Sequence, residues 1–217
     1  MPTPPFQAID ESIRRVTVMG LGRFGGGQGV ARWWLDRGVH VHVTDQATQD
    51  QLTEPVAILK EHAGPDQLTF QLGEHLETDF TETDLVVANP AVSMPWTNPY
   101  LQAAWAAGIP VTTEISLAVA HLDRTRVVGI TGTAGKSTTA AMTHHALLGS
   151  GIRSMLAGNI GGSLLLNLEE LEQVDAVVLE LSSAMLWWLG ATDDAPPGAP
   201  NWSPSIAITT NIAPNHL

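Results

Sequence analysis

Gly129-Ile130-Thr131-Gly132-Thr133-Ala134-Gly135-Lys136-Ser137-Thr138-Thr139 decides the reading of this chain. The apolar run Arg126-Val127-Val128-Gly129-Ile130 leads into it as a buried strand, and the glycines form a turn. The small residues from Ser137 onward open a helix. Strand, glycine turn and helix in that order make a phosphate-binding loop. Backbone N–H groups of Gly132, Thr133, Ala134 and Gly135 and the helix N-terminus point at an anion, Lys136 reaches the outer phosphates, and the Ser137 hydroxyl can ligate Mg²⁺, with Thr138 beside it. The general pattern G-x-x-x-x-G-K-[ST] places a glycine where this chain has Ile130.

Downstream of that loop, Ala140–Leu148 reads as a helix, Ile152–Leu156 as a strand and Ser163–Leu171 as a second helix. His144 and His145 are adjacent on the first of these and point to different sides, so they are poorly placed to share a metal. Asp175-Ala-Val-Val-Leu-Glu-Leu181 is a buried strand that carries Glu180 near its carboxyl end. A carboxylate there costs free energy unless it is paired or bound to a cation, so Glu180 is a candidate Mg²⁺ ligand, with a salt-bridged structural glutamate as the alternative. Residues 190–204 are a loop by composition, and Ser205–Thr210 is another strand, followed by Asn211-Ile-Ala-Pro-Asn-His216-Leu217. A sheet ending there has an unpaired edge, so the sequence is expected to be the N-terminal part of a longer enzyme.

Upstream, residues 1–12 read as a lead-in and Arg14–Met19 as a first strand that ends in Gly20-Leu21-Gly22-Arg23-Phe24-Gly25. This is G-x-G-x-x-G directly after a strand; a helix from Gly29 to Gly38 and a strand from Val39 to Thr44 follow. Asp45 lies 20 residues beyond Gly25, the distance at which a dinucleotide-binding fold places its ribose-binding acid. Helices are expected over Thr53–His62, Pro99–Gly108 and Glu114–His121, and strands over Leu68–Leu72, Asp84–Ala88 and Ile109–Thr112. The turn Asn89-Pro90-Ala91-Val92 falls at the carboxyl end of a parallel strand, where open α/β sheets bind ligands. Leu122–Thr125 is a polar connection, which gives a boundary between a domain of residues 1–122 and one of residues 123–217.

The chain has 217 residues, a formal net charge of −12 and no cysteine. A field of that sign disfavours nucleic acid and anionic membranes, and no stretch is apolar enough to span a bilayer. Disulfides and thiolate sites are excluded, and no signal peptide is evident, which fits a cytoplasmic protein.

Four blocks in this order, Gly132–Thr138, Gly158-Asn159-Ile160-Gly161, Val178–Ser183 and Asn211–Leu217, resemble the Mur ligase family. The resemblance implies an α/β fold with a Rossmann-like N-terminal domain followed by a truncated P-loop-type central domain. It implies ATP-driven amide formation in peptidoglycan precursor synthesis, with ATP and Mg²⁺ and an acyl-phosphate intermediate. The substrates implied are UDP-N-acetylmuramoyl-L-alanine and D-glutamate. By the same resemblance Gly22, Arg23, Phe24, Asp45, Asn89, Pro90 and Ser182 line the UDP-substrate pocket. Lys136 neutralises phosphate oxygens, Ser137 and Glu180 hold Mg²⁺, and Asn159 and His216 bracket a second metal and the acyl phosphate. The family more often has Ser-Pro-Gly where this chain has Asn89-Pro90-Ala91, and an aspartate where it has Asn215. Three other readings stand beside this one: another step of the same ligase family, a non-catalytic UDP-sugar or nucleotide-binding module, and an NAD-dependent dehydrogenase built on the first glycine motif, against which the downstream phosphate loop counts.

Overall fold

A computed structural model describes residues 12–21, 26–190 and 193–214. The expected lead-in, Gly22, Arg23, Phe24 and Gly25 of the first glycine motif, and Asn215, His216 and Leu217 lie outside these described residues.

In chain order the elements are β1 (Arg15–Met19), α1 (Gly26–Leu35), β2 (His40–Asp45), α2 (Thr53–His62), β3 (Leu68–Leu72), α3 (Thr78–Thr81), β4 (Leu85–Ala88), α4 (Pro99–Ala106), β5 (Val111–Thr112) and α5 (Glu114–Val119). They continue with β6 (Val127–Thr131), α6 (Lys136–Gly149), β7 (Ser154–Gly158), α7 (Leu168–Gln173), β8 (Ala176–Glu180), α8 (Ser183–Trp188) and β9 (Ile206–Thr209). The strands form two parallel sheets, ordered β3-β2-β1-β4-β5 and β7-β8-β6-β9. In the first, β1 and β4 are buried along most of their length on both faces, the mark of a sheet covered by helices on each side.

Local chemistry sets several boundaries. Asn98 caps α4 by accepting from the N–H groups of Tyr100 and Leu101, and Pro99 fills the first helical position, where no N–H is needed. Thr113 caps α5 and Ser182 caps α8 in the same way. The first helix begins at Gly26 rather than at Gly29, and α6 begins at Lys136, one residue before the Ser137 at which the sequence opens it. The expected helix over Ser163–Leu171 breaks into a 3-10 turn at Leu165–Asn167 followed by α7. Ser163 is drawn out of helical geometry by a partner across the molecule, and Asn167 Nδ2 donates to its carbonyl. β7 starts two residues later than expected because Gly151 turns in the left-handed region and Arg153 pairs with Asp175.

One buried polar cluster lies inside the first sheet. Asp79 accepts from Thr44 Oγ1 and the Leu76 N–H, and sits 2.9 Å from His42 Nε2, while Thr44 Oγ1 is also 2.7 Å from His75 Nδ1. Burial lowers the pKa of both imidazoles, an effect that Asp79 partly offsets.

The two sheets share a core. Val30, Trp34 and Leu35 of α1 belong to the same buried cluster as Leu164, Leu165, Leu171, Leu181 and Leu189. Each aliphatic side chain buried at such a seam contributes about 1.5–3 kcal/mol, so apolar packing holds the two units in one arrangement. Ser116 Oγ adds a hydrogen bond to the Trp188 carbonyl.

Candidate nucleotide site

Each sheet reverses its strand order at one place, and the glycine-rich turns fall there. In the first sheet that place lies between β1 and β4. Gly20 leaves β1 at φ +85°, and a Cβ on it would stand 3.4 Å from Asn89 Cβ, so the turns after β1 and β4 flank one crevice. Asp45, at the end of β2, does not project freely into it. One carboxylate oxygen accepts from the Leu21 N–H at 2.9 Å and the other from the Ala47 N–H at 2.8 Å. Asn89 is likewise engaged, accepting from the Ala91 N–H in a side-chain turn that contains Pro90. Beyond that turn Met94 and Trp96 are exposed, and the Trp96 ring meets Trp187 of α8 edge-on at 5.5 Å.

In the second sheet, β6 lies between β8 and β9, and the loop after it meets the residues that follow β9. Gly132 takes φ +135°, and a Cβ there would stand 2.2 Å from Thr210 Oγ1. Gly135 takes φ +82° at the N-cap of α6, with open space where a Cβ would be. These conformations belong to glycine, which explains the motif physically. Lys136 Nζ donates to the carbonyls of Gly132 at 2.8 Å and Thr133 at 3.2 Å. Ala134, Gly135, Ser137 and Thr138 are exposed around it.

Glu180 ends β8 beside Ile130 and Gly158 in register, and is 1% exposed. Its Oε1 accepts from Asn159 Nδ2 at 3.1 Å, while its Oε2 is buried with no partner among the described residues. No Lys, Arg or His among the described residues pairs with it. An orphan carboxylate oxygen costs on the order of several kcal/mol, so this donor set fits a hard divalent cation such as Mg²⁺. Asn159 is tied to the same strand by its own N–H, which donates to the Glu180 carbonyl at 2.8 Å. A Cβ on Gly158 would stand 2.3 Å from that carbonyl oxygen, so only glycine allows this approach. Among the described residues no group of three or more His, Asp or Glu forms a metal cluster. Ser182 is committed to the Met185 N–H at 3.2 Å as the cap of α8. His144 Nδ1 bonds to Ser154 Oγ, and His145 is exposed on the far side of α6.

Sequence reasoning passed over the residues that fasten the loop from β9. Asn211 accepts from the Ala134 N–H at 3.0 Å and donates back to its carbonyl at 2.9 Å; its own carbonyl takes the Thr133 N–H. Thr210 Oγ1 donates to the Ala134 carbonyl at 2.6 Å. The one signal available was an amide side chain placed directly after a strand; its partner, 77 residues earlier, could not be read locally.

The fold is one of two parallel α/β sheets, with the glycine turn after β1 beside the turn after β4 on the first, and a glycine-rich, lysine-bearing loop at the end of the strand next to the buried Glu180 on the second. Residues 14–113 match the family described as Mur ligase MurD-like, N-terminal domain, and residues 130–217 match the Mur ligase middle domain. The chain belongs to the Mur ligase family. It is 38% identical over 209 residues to a UDP-N-acetylmuramoylalanine–D-glutamate ligase of Geobacter metallireducens, covering 96% of this chain and 42% of that protein. To the enzyme of that name from a Roseiflexus species it is 40% identical, covering 94% of this chain and 41% of the relative. The chain thus spans about two fifths of the length of the curated relatives it matches. Among solved structures, a UDP-N-acetylmuramate:L-alanyl-gamma-D-glutamyl-meso-diaminopimelate ligase from Neisseria shares the fold at a TM-score of 0.53 and 18% identity, covering 94% of this chain and 62% of that one.

Proposed function

We propose that this chain is the nucleotide-handling part of an ATP-dependent ligase that joins D-glutamate to UDP-N-acetylmuramoyl-L-alanine in peptidoglycan precursor synthesis, in the cytoplasm. The names of its relatives support the substrates. One observation supports the chemistry: a buried carboxylate oxygen without a partner, on the strand next to a lysine-bearing phosphate loop. On this reading residues 1–122 hold the UDP moiety and residues 123–217 begin the ATP-binding domain. Gly22, Arg23, Phe24, Asn89 and Pro90 line the UDP crevice, and Asp45 braces the turn after β1. Ser182 acts through the orientation of α8.

Bound Mg²⁺, held by Ser137, Glu180 and His216, would supply charge neutralisation at the transferring phosphate. The protein's own part is positioning. Amides of Gly132, Thr133, Ala134 and Gly135 hold the phosphates against the N-terminus of α6, with Thr138 in its first turn. Lys136, freed from the loop carbonyls, moves its ammonium to the β- and γ-oxygens. Asn159 keeps the Glu180 carboxylate aimed and, with His216, flanks the substrate carboxylate as it attacks the γ-phosphate and ADP leaves. Amide bond formation follows when the amine of D-glutamate displaces phosphate from the acyl phosphate.

Calorimetric titration of the 217-residue chain tests the reading. UDP-N-acetylmuramoyl-L-alanine and ATP with Mg²⁺ are expected to bind at separate sites without competing. Glu180→Gln is expected to remove the Mg²⁺ dependence of ATP binding while leaving unfolding stability unchanged or higher, since a buried charge is lost. Binding of the UDP-sugar with no affinity for ATP would leave a nucleotide-sugar module instead.

A further inference from the structure

Among the described residues, Glu114 is a half-buried carboxylate that the proposed mechanism does not use and that reaches across the seam between the sheets. It opens α5, yet its partners lie about fifty residues further on. Ser163 Oγ donates to its Oε1 at 2.5 Å and the Leu165 N–H reaches the same oxygen at 3.5 Å. No cation among the described residues pairs with it. Burial pushes its carboxyl above the usual range, and hydrogen bonding from Ser163 and the backbone that follows it pulls it back.

Its surroundings are shaped to admit this contact. A Cβ on Gly26 would stand 3.4 Å from Glu114 Oε2, and one on Gly29 would stand 2.3 Å from both Cβ and Oγ of Ser163. The glycine-rich start of α1 therefore leaves room for a serine of the second sheet to reach a carboxylate of the first. Ser163 closes the loop that begins at Gly158 and contains Asn159. Within that loop Gly158, Gly161 and Gly162 all have φ between +84° and +98°, so its own backbone preferences do little to fix it. It is pinned at two ends: by Asn159 on Glu180, and by Ser163 on Glu114.

We propose that Glu114 is a positioning residue that anchors the 158–163 loop to the first sheet and so holds Asn159 in place against the metal-binding Glu180. The inference rests on Glu180 serving the nucleotide-bound metal as set out above. It makes the geometry of the metal face depend on how the two sheets are docked.

Glu114→Ala, Glu114→Gln and Ser163→Ala in the full chain test it with two readouts. The first is hydrogen exchange at the Asn159 and Leu165 amides without ligand. Glu114→Ala is expected to speed it about tenfold or more, and Glu114→Gln, which keeps an acceptor for Ser163, to stay within about threefold of wild type. The second is the Mg²⁺ concentration that half-saturates ATP binding. It is expected to rise about five- to tenfold in Glu114→Ala and Ser163→Ala and to recover in Glu114→Gln, with UDP affinity unchanged throughout. A normal Mg²⁺ requirement in a folded Glu114→Ala chain overturns this role and leaves the nucleotide site standing. A wild-type chain with no Mg²⁺-dependent ATP binding overturns the metal reading and this role together, whatever the exchange rates.

Discussion

After β1 the chain turns through Gly20 and Leu21, and after β6 it turns through Gly132 to Gly135, both at the point where a parallel sheet reverses its strand order. The first turn is tied by a carboxylate: Asp45 accepts the Leu21 N–H, and Gly27 lets α1 lie against the turn, since a Cβ there would stand 2.1 Å from the Gly20 carbonyl oxygen. The second is tied by neutral side chains of the neighbouring strand, Thr210 and Asn211, and carries a lysine folded onto its carbonyls. Glycine spacing is common to both. What the described residues show at the second alone is a lysine at the helix start and, one strand away, a buried carboxylate oxygen with no partner among them. Glycines report how closely backbones approach; the charged groups report which phosphate chemistry can follow.

Four experiments sharpen or break this contrast. The largest effect is expected from Lys136→Ala, which should weaken ATP binding on the order of 100-fold, about 3 kcal/mol, while leaving UDP-sugar binding intact. Equal losses at both sites in a calorimetric titration would mean that the turns do not work independently. Next comes Gly27→Ala against Gly135→Ala in denaturant unfolding. Alanine normally favours a helix, but at 27 the backbone clash dominates and about 2–4 kcal/mol should be lost. At 135 there is space, so only the left-handed backbone is penalised, at about 1–2 kcal/mol. The reverse order would refute the packing role given to the first motif.

Asn211→Ala should cost about 1–2 kcal/mol of ATP affinity, because Ala134 loses both of its side-chain partners on that residue. Asn211→Asp, which keeps the acceptor and loses the donor, should fall between; an unaffected Asn211→Ala would show that the loop holds its shape unaided. The smallest effect concerns pH. His42 and His75, buried in the first sheet, have pKa values below the ordinary imidazole value, chiefly through desolvation. The unfolded chain therefore takes up protons first as pH falls through about 6.5, and stability contributed by these neutral rings is lost on acidification. Protection of the β2 amides, taken relative to their intrinsic exchange at each pH, should fall between about pH 7 and 5, and His42→Gln should flatten the change. An unchanged β2 profile would place the titration elsewhere.

Much of this molecule was legible in order of residues. The strand–turn–helix at Val127–Gly149, the strand ending in Glu180, and the first strand with Asp45 at the end of the next all stand where periodicity and turn chemistry place them. Errors gathered at element ends. Ser163–Leu171 carries a helical apolar pattern, yet Glu114 holds Ser163 outside the helix, a tertiary bond that outweighs a few residues of propensity. Asp45 was legible as a carboxylate at the crevice, but not as one whose two oxygens brace backbone amides.

The sequence by itself determined the two βα frameworks, the glycines that their turns require and the lysine that marks one of them. Those features follow from local sterics and from periodic burial, which a short window of residues contains. Only the tertiary structure decided that no cation among the described residues pairs with Glu180, that Asn211 fastens Ala134, and that Glu114 reaches Ser163. Each is a pairing over dozens of residues, fixed by how parallel strands and two sheets dock, and no local pattern encodes which distant polar group will arrive to satisfy a buried one.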